Sequence, residues 1–209
     1  FAQVPLAVYH RPFNVERYDL TLNWMQTFVV KKPVMSGRNV ITLTLTDTAS
    51  AVALDAMQMR LDSVRVNGLL VAPLPQPAAD TVLIPITDAS LRKKGQRLTL
   101  EVSYTRTSTA QDGLYVYPKG QFVGFGPRHD SVFVEEDLAY TMSEPQDARK
   151  WMPCNDDPDD KADSRISIMV PVGYSAQSNG LLQSIDSSVP GRRVYVWQSD
   201  RPIATYLMC

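Results

Sequence analysis

The residues with the clearest potential for chemistry lie together in one stretch, MSEPQDARKWMPCNDDPDDKAD, which covers residues 142–163. These 22 residues include three prolines, one cysteine, one tryptophan and six aspartates, besides Glu144 and Arg149. The Glu144 carboxylate can cap the short turn that follows it, or pair with Arg149. Residues 142–163, here called the motif segment, are therefore the candidate functional site.

Other catalytic chemistry is poorly represented. The chain has two histidines, His10 and His129, and lacks the H-E-x-x-H helix that often holds a catalytic zinc. The run GPRHDS (126–131) places charged residues side by side, whereas catalytic triads join residues distant in sequence, so we interpret it as a polar loop. The acidic run NDDPDDKAD has no glycine at the turn that a calcium loop of the EF-hand type requires. It is either an adventitious cation site or, the alternative we favour, a solvated acidic turn, and we predict no metal ligand.

Short runs with a period of two dominate the rest of the chain. ERYDLTLNWM, NVITLTLTDT and QRLTLEVSYTRT alternate apolar with polar residues, as half-buried strands do. Further runs rich in β-branched and aromatic residues are MRLDSVRVNG, DTVLIPIT, GLYVYP, SVFVEED, SRISIMVPV, RRVYVWQ and ATYLMC. Turn formers such as Asn67-Gly68 and Asn179-Gly180 separate them. The pattern predicts an all-β fold of about ten or more short strands in antiparallel sheets packed face to face.

Helical signals are few. The run TDASLRKKG is predicted to form one turn with Asp88 or Ser90 as its cap and Gly95 after its end. The run EPQDARKW is predicted to form another, with Pro145 in its first turn.

The bulk composition excludes some classes of function. A chain of 209 residues with 44% hydrophobic and 21% charged residues is an ordinary globular protein of one large or two small domains. Its net charge of −1 argues against nucleic-acid binding, and no apolar run approaches the ~18 residues of a membrane span. Cys154 and Cys209 are predicted to be unpaired thiols. Because the sequence starts at Phe1, we expect a removed leader or upstream segment, which slightly favours an exported or cell-envelope protein.

The motif segment and its surroundings resemble the amino-terminal domain of the aminopeptidase N type of zinc aminopeptidases. That family carries T-Q-x-[EQ]-x-x-x-A-R-x-x-[FW]-P-C-x-D-x-P-x-x-K-A, followed by a strand and a small-S-N-G turn. The matching positions are Thr141, Glu144, Ala148, Arg149, Pro153, Cys154, Asp156, Pro158, Lys161 and Ala162, then Pro171, Ser178, Asn179 and Gly180. YDLTLNW and RPIATYLMC are similar to the family's opening and closing strands, so the resemblance covers roughly residues 14–209. Met142 and Met152 depart from the pattern.

The resemblance implies a saddle-shaped β-sandwich, with residues 1–209 as the single amino-terminal domain of a larger metallopeptidase. It implies that a following catalytic domain, absent from this chain, supplies the zinc and the general base, so that this chain alone is inactive. Peptides would be the substrates, and amino-terminal residues would be released from them.

The resemblance also implies a role for Glu144, which would reach the free α-amino group and the first side chain of the substrate. The other motif residues (Ala148, Arg149, Pro153, Cys154, Asp156, Pro158 and Lys161) are interpreted as structural. Arg149 and Asp156 are predicted to form a buried pair, and Cys154 to be a buried small hydrophobic residue rather than a reactive thiol. Trp151 either packs beneath the loop or lines the substrate cleft.

Alternative functions remain compatible with the sequence. The same sandwich occurs in relatives without zinc, where it is a non-catalytic scaffold or interaction domain. A free-standing adhesion or carbohydrate-binding module is a further alternative, for which an exposed aromatic strip would be the sign. The sequence does not separate an aminopeptidase from a relative that also hydrolyses an epoxide.

Overall fold

A computed structural model describes residues 11–125 and 130–209. His10 and most of the polar loop predicted at residues 126–131 lie outside the described residues. Within them the chain is mostly strand with little helix, and the all-β fold class is confirmed.

Fourteen strands are present in the described residues. They are β1 (Phe13–Asn23), β2 (Ser36–Leu45), β3 (Ala51–Asp55), β4 (Met59–Val66), β5 (Leu69–Leu70), β6 (Thr81–Pro85), β7 (Arg97–Arg106), β8 (Leu114–Tyr117), β9 (Phe122–Phe125), β10 (Asp130–Phe133), β11 (Leu138–Thr141), β12 (Ala162–Pro171), β13 (Leu181–Asp186) and β14 (Arg192–Ile203).

Eight of these strands form one large sheet in the order β13-β14-β12-β1-β2-β7-β4-β5. Three two-stranded sheets, β3–β6, β8–β11 and β9–β10, complete the fold. All pairs are antiparallel except β1 and β12, which run parallel from Arg17↔Asp163 to Asn23↔Met169. These two strands are far apart in sequence, so no hairpin forces them to be antiparallel. The motif segment therefore ends beside the first strand of the sheet.

The alternating runs place their apolar residues in the core as predicted. Tyr18, Leu20 and Leu22 of β1 are at most 1% exposed. The same burial holds for the apolar residues of β2 and β7, which are Ile41, Leu43, Leu45, Leu98, Leu100, Val102 and Tyr104. Burial of this continuous apolar layer is the main stabilising contribution that the sequence pattern can identify.

The helical segments differ in part from the prediction. Helix α1 (Met25–Val30) was not predicted, because its β-branched residues Thr27, Val29 and Val30 favour strand. The predicted turn after Asp88 is confirmed as a 3₁₀ turn, Ala89–Leu91, whose Ser90 amide donates to the Asp88 carboxylate. The turn predicted in EPQDARKW is a 3₁₀ turn at Ala148–Lys150, after Pro145 rather than including it.

The prediction of a strand at ATYLMC was wrong. Strand β14 ends at Ile203, and Thr205–Leu207 forms a 3₁₀ turn. The amides of Leu207 and Met208 donate to the carbonyls of Ala204 and Thr205, so these backbone groups are paired locally instead of with a neighbouring strand.

Candidate functional site

Glu144 lies on an exposed turn that leaves the end of β11. Met142 and Glu144 are exposed while Ser143, between them, is 3% exposed, so the Ser143 side chain points inward. The Ser143 hydroxyl accepts a hydrogen bond from Nε1 of Trp151 at 2.8 Å. The Asp147 amide donates to the Ser143 carbonyl at 2.8 Å and closes the turn. Ser143 thus holds the backbone on both sides of Glu144.

The Glu144 side chain forms no hydrogen bond or ion pair with any described residue. The alternative in which Glu144 pairs with Arg149 is therefore wrong, because Arg149 is occupied by other carboxylates. The alternative in which Glu144 caps the following turn is also wrong. That 3₁₀ turn has Asp147 at its N-cap position and no side-chain cap. Glu144 is thus exposed, and its carboxylate has no partner among residues 11–125 and 130–209.

Arg149 and Asp156 form the buried pair that the sequence predicted. Arg149 Nε lies 3.0 Å from Asp156 Oδ2, and the Asp156 side chain is 1% exposed. The guanidinium also contacts Asp80 at 3.2 Å and Asp55 at 3.6 Å. Burial lowers the pKa of Arg149, but the hydrogen bond to Asp156 and the charge of Asp55 outweigh it and raise the pKa overall. Arg149 remains charged and joins three parts of the chain.

Asp55 and Thr205 complete this network. The Asp55 carboxylate accepts from the Asp156 amide at 2.8 Å and from Arg11 at 2.6 Å. The Thr205 hydroxyl donates to Asp156 Oδ1 at 2.9 Å. Asp55, Asp80, Arg11 and Thr205 were not predicted as site residues from the sequence. None of them belongs to a local sequence motif. Only Asp55 could have been found from the sequence, because it is a charged residue at the end of a buried strand.

Cys154 is fully buried, as predicted, and is a free thiol like the exposed Cys209. Its amide and carbonyl form a bridge to the carbonyl and amide of Asp55, at 3.0 and 2.7 Å. Burial raises the pKa of the Cys154 thiol well above its ordinary value. The thiol is therefore protonated and inert, and its segment is fixed by backbone pairing.

The remaining motif residues divide into buried and exposed ones. Ala148, Trp151 and Met152 are fully buried, which settles the position of Trp151 beneath the loop. The buried Pro153 offers its carbonyl to the Asn39 side chain at 2.9 Å. The other two, Pro158 and Lys161, are exposed, and Lys161 forms no ion pair with a described residue.

Lys150, the residue after Arg149, forms two ion pairs. Its Nζ lies 2.5 Å from Asp112 and 2.8 Å from Asp147. Burial lowers the pKa of Lys150, and the two carboxylates raise it above its ordinary value. Arg149 and Lys150, the two cations nearest to Glu144 in sequence, are therefore both paired with other acids.

The described residues contain no group of three or more His, Cys, Asp or Glu side chains that could hold a metal ion. They therefore do not fit a catalytic zinc. No helix in residues 11–125 and 130–209 is long and apolar enough to span a membrane.

The fold and the motif segment together identify the family of this domain. The sequence model of the Peptidase M1 N-terminal domain family matches residues 14–207, and the chain belongs to that family. The resemblance stated from the motif segment is thereby confirmed.

Named relatives of this chain are aminopeptidases. Glutamyl aminopeptidase of Rattus norvegicus is 29% identical over 137 residues, which cover 60% of this chain and 14% of the rat protein. The chain thus spans a small part of the length of such relatives.

Solved structures show the same fold. An M1 zinc metallopeptidase from Deinococcus radiodurans aligns with a TM-score of 0.74 and 25% identity, over 95% of this chain and 42% of that one. Yeast LTA4 hydrolase aligns with a TM-score of 0.73 and 18% identity, over 94% of this chain and 28% of that one, and this likeness concerns the fold alone.

Proposed function

We propose that residues 1–209 form the amino-terminal, substrate-recognition domain of a zinc aminopeptidase, and that Glu144 binds the free α-amino group of a peptide. The observation that carries the proposal is the state of Glu144. Its carboxylate is exposed and has no partner in the part of the chain that the structure describes, while Arg149 and Lys150, which follow it closely in sequence, are joined to other acids in ion pairs. An unpaired carboxylate on a braced turn is ready to accept charge-assisted hydrogen bonds from an ammonium group.

The zinc and the general base would come from a catalytic domain outside these 209 residues. Two findings support this part of the proposal. The Deinococcus relative is a zinc metallopeptidase in which more than half of the chain lies outside the match, and the described residues here form no metal-binding cluster. Binding of the ammonium would position the first peptide bond of the substrate for that domain.

The word glutamyl in the names of the relatives describes those proteins. The preference of the present enzyme for a first residue is a separate question, because it depends on the side chains around Glu144 rather than on Glu144 itself.

The test uses the full-length parent protein and its Glu144→Ala variant. We expect about one bound zinc per chain, as in mononuclear catalytic sites, and hydrolysis of aminoacyl anilides but not of their N-acetylated forms. The variant should raise KM by about 10- to 100-fold, because a hydrogen bond to a charged group contributes about 1.5–3 kcal/mol. The matched control is Glu135→Ala, which removes an exposed carboxylate from the stretch just before β11 and should leave KM unchanged.

Three outcomes are distinct. Zinc and activity with an unaffected Glu144→Ala variant would keep the enzyme and assign Glu144 a structural role. Zinc without hydrolysis of free amino-terminal substrates would contradict the aminopeptidase assignment. A protein with neither zinc nor activity would be the non-catalytic scaffold that the sequence analysis left open.

A further inference from the structure

We propose that Asn179 is a positioning residue: it fixes the backbone of residues 205–209, here called the closing peptide, and thereby sets where a catalytic domain lies relative to Glu144. The inference rests on the proposed function and on the order that the family resemblance implies, in which the catalytic domain follows this one. It also gives a role to the Ser178-Asn179-Gly180 turn, which matches the family pattern and to which the proposed function assigns no part.

The Asn179 side chain binds the backbone of the closing peptide at two points. Its Oδ1 accepts from the Cys209 amide at 2.8 Å, and its Nδ2 donates to the Leu207 carbonyl at 2.9 Å. The Ser178 hydroxyl adds a hydrogen bond to the Cys209 carbonyl. A side-chain amide supplies a donor and an acceptor from one planar group. Asn179 therefore binds two backbone groups that are two residues apart and fixes the direction of the chain between them.

The turn that carries Asn179 is itself fixed on β14. Gly180 has a φ of +89°, and a Cβ at this position would overlap the Gln198 carbonyl of β14, so the close approach of the turn requires glycine. Before the turn, Nε1 of Trp197 donates to the Ala176 carbonyl at 3.2 Å. After the turn, β13 pairs with β14. Asn179 is therefore held on β14 from both sides of the turn.

The closing peptide is also bonded to the motif segment. Thr205 is 1% exposed, and its hydroxyl donates to Asp156, the partner of Arg149. At the other end of the peptide, Cys209 and all four residues of β11 line one cavity of about 350 Å³. Because β11 leads directly into the turn with Glu144, the closing peptide runs beside the strand that places this carboxylate. Its direction is thus fixed relative to Glu144.

A domain attached to the closing peptide takes its orientation from that peptide. Glu144 must hold the ammonium group while the other domain holds the peptide bond, and an error of about 1 Å in such an arrangement can lower a rate about 100-fold. Loss of the Asn179 bonds frees the backbone of Leu207 and Cys209. The two domains then adopt more orientations, and Glu144 meets the ammonium group less often in the productive geometry.

The first test measures hydrogen exchange of the Cys209 amide in the full-length parent protein by mass spectrometry of overlapping peptides. In Asn179→Ala this amide loses its acceptor, so we expect its exchange to be at least about tenfold faster than in the wild type. The matched control is Gln183→Ala, which removes an exposed side-chain amide that donates to the Leu181 carbonyl of its own strand and should leave the exchange unchanged. Equal exchange in the wild type and Asn179→Ala would overturn the inference whatever the activity of the protein.

The second test is a double-mutant cycle with Glu144→Ala, measured as kcat/KM on an aminoacyl anilide. Asn179→Ala should lower kcat/KM by about 10- to 100-fold when Glu144 is present and by less than about twofold in the Glu144→Ala background, because it acts through the position of Glu144. A loss of folded protein would instead lower kcat/KM by the same factor in both backgrounds. Asn179→Asp, which keeps the acceptor and removes the donor, gives the same comparison if the alanine variant does not fold.

The outcomes separate this inference from the proposed function. A zinc-containing enzyme that depends on Glu144 but loses the same factor in both backgrounds would overturn the positioning role of Asn179 alone. A parent protein that hydrolyses no aminoacyl anilide would overturn both.

Discussion

At the scale of single residues, Arg149 links the motif segment to other parts of the chain through three ion pairs. Its side chain is 17% exposed and contacts three carboxylates, of which Asp156 is almost completely buried. Removing one partner from such a group leaves buried charge without compensation, and this penalty exceeds the modest contribution of an exposed ion pair. Arg149 is therefore a structural residue that fixes the position of the turn bearing Glu144.

We predict that Arg149→Ala lowers the free energy of unfolding by about 3 kcal/mol, measured by urea denaturation of the 209-residue chain. The matched control is Arg60→Ala, since Arg60 pairs with Asp62 on the surface and its side chain is 65% exposed. The control should cost less than about 1 kcal/mol. Equal losses in the two variants would show that the Arg149 network contributes no more than a surface pair.

At the scale of elements, β11 is the strand that places Glu144. It pairs with β8 alone, so one of its edges has no strand beside it among the described residues. Asp137, at its start, accepts hydrogen bonds from Lys31, from the Tyr174 hydroxyl at 2.5 Å and from the Lys119 amide at 2.9 Å. These three donors lower the pKa of the Asp137 carboxyl from 3.8 to about 2, with Lys31 having the largest effect. Asp137 thus joins β11 to α1 and to the segment after β12.

The contribution of Asp137 should depend on pH. The pKa is lower in the folded than in the unfolded chain, so the ionised carboxyl stabilises the fold above about pH 4, and this effect is lost as the pH falls towards 2. We expect the difference in unfolding free energy between the wild type and Asp137→Asn to be largest above pH 4 and to shrink over this interval. Urea denaturation at pH 6 and at pH 2.5 measures it. A difference that is equal at the two pH values would contradict this assignment.

At the scale of the whole molecule, the motif segment is held by contacts with strands of two different sheets. The large sheet brings β12 next to β1, and the Asp55 end of β3 pairs with Cys154. The Tyr18 hydroxyl of β1 accepts from the Asn155 amide at 3.0 Å within the core. The motif segment is thus hydrogen-bonded to β1 and β3, which belong to different sheets. These bonds fix the part of the segment that follows the exposed turn with Glu144.

We predict that the 209-residue chain has the same thermal unfolding midpoint in EDTA and in zinc, because its described residues hold no metal-binding cluster. The proposed function predicts in contrast that the full-length parent protein loses activity in EDTA and regains it with zinc. Scanning calorimetry and an anilide assay measure the two effects. A midpoint for the chain that rises with zinc concentration would reveal a metal site within these residues.

The sequence by itself determined nine of the strands, the pair of Arg149 and Asp156, the burial of Cys154 and the family, but it did not predict β3, β5, β9, β11 or β13. These features can be predicted because the alternation of residues in a strand and the spacing of residues in the motif are local properties of the chain. The errors were local as well. Helix α1 contains residues that favour strand, and the last predicted strand has apolar residues but satisfies its backbone within a turn.

Beyond the pair of Arg149 and Asp156, only the tertiary structure decided which partners each charge has. Asp80 contacts Arg149 across 69 positions, and Asp55 accepts from the Asp156 amide across 101. Sequence order carries no information on which carboxylate from a distant strand reaches the Arg149 guanidinium, because that depends on how the sheets pack. The lack of a partner for Glu144 among the described residues has the same origin, since Arg149 and Lys150 pair with acids from other strands and loops.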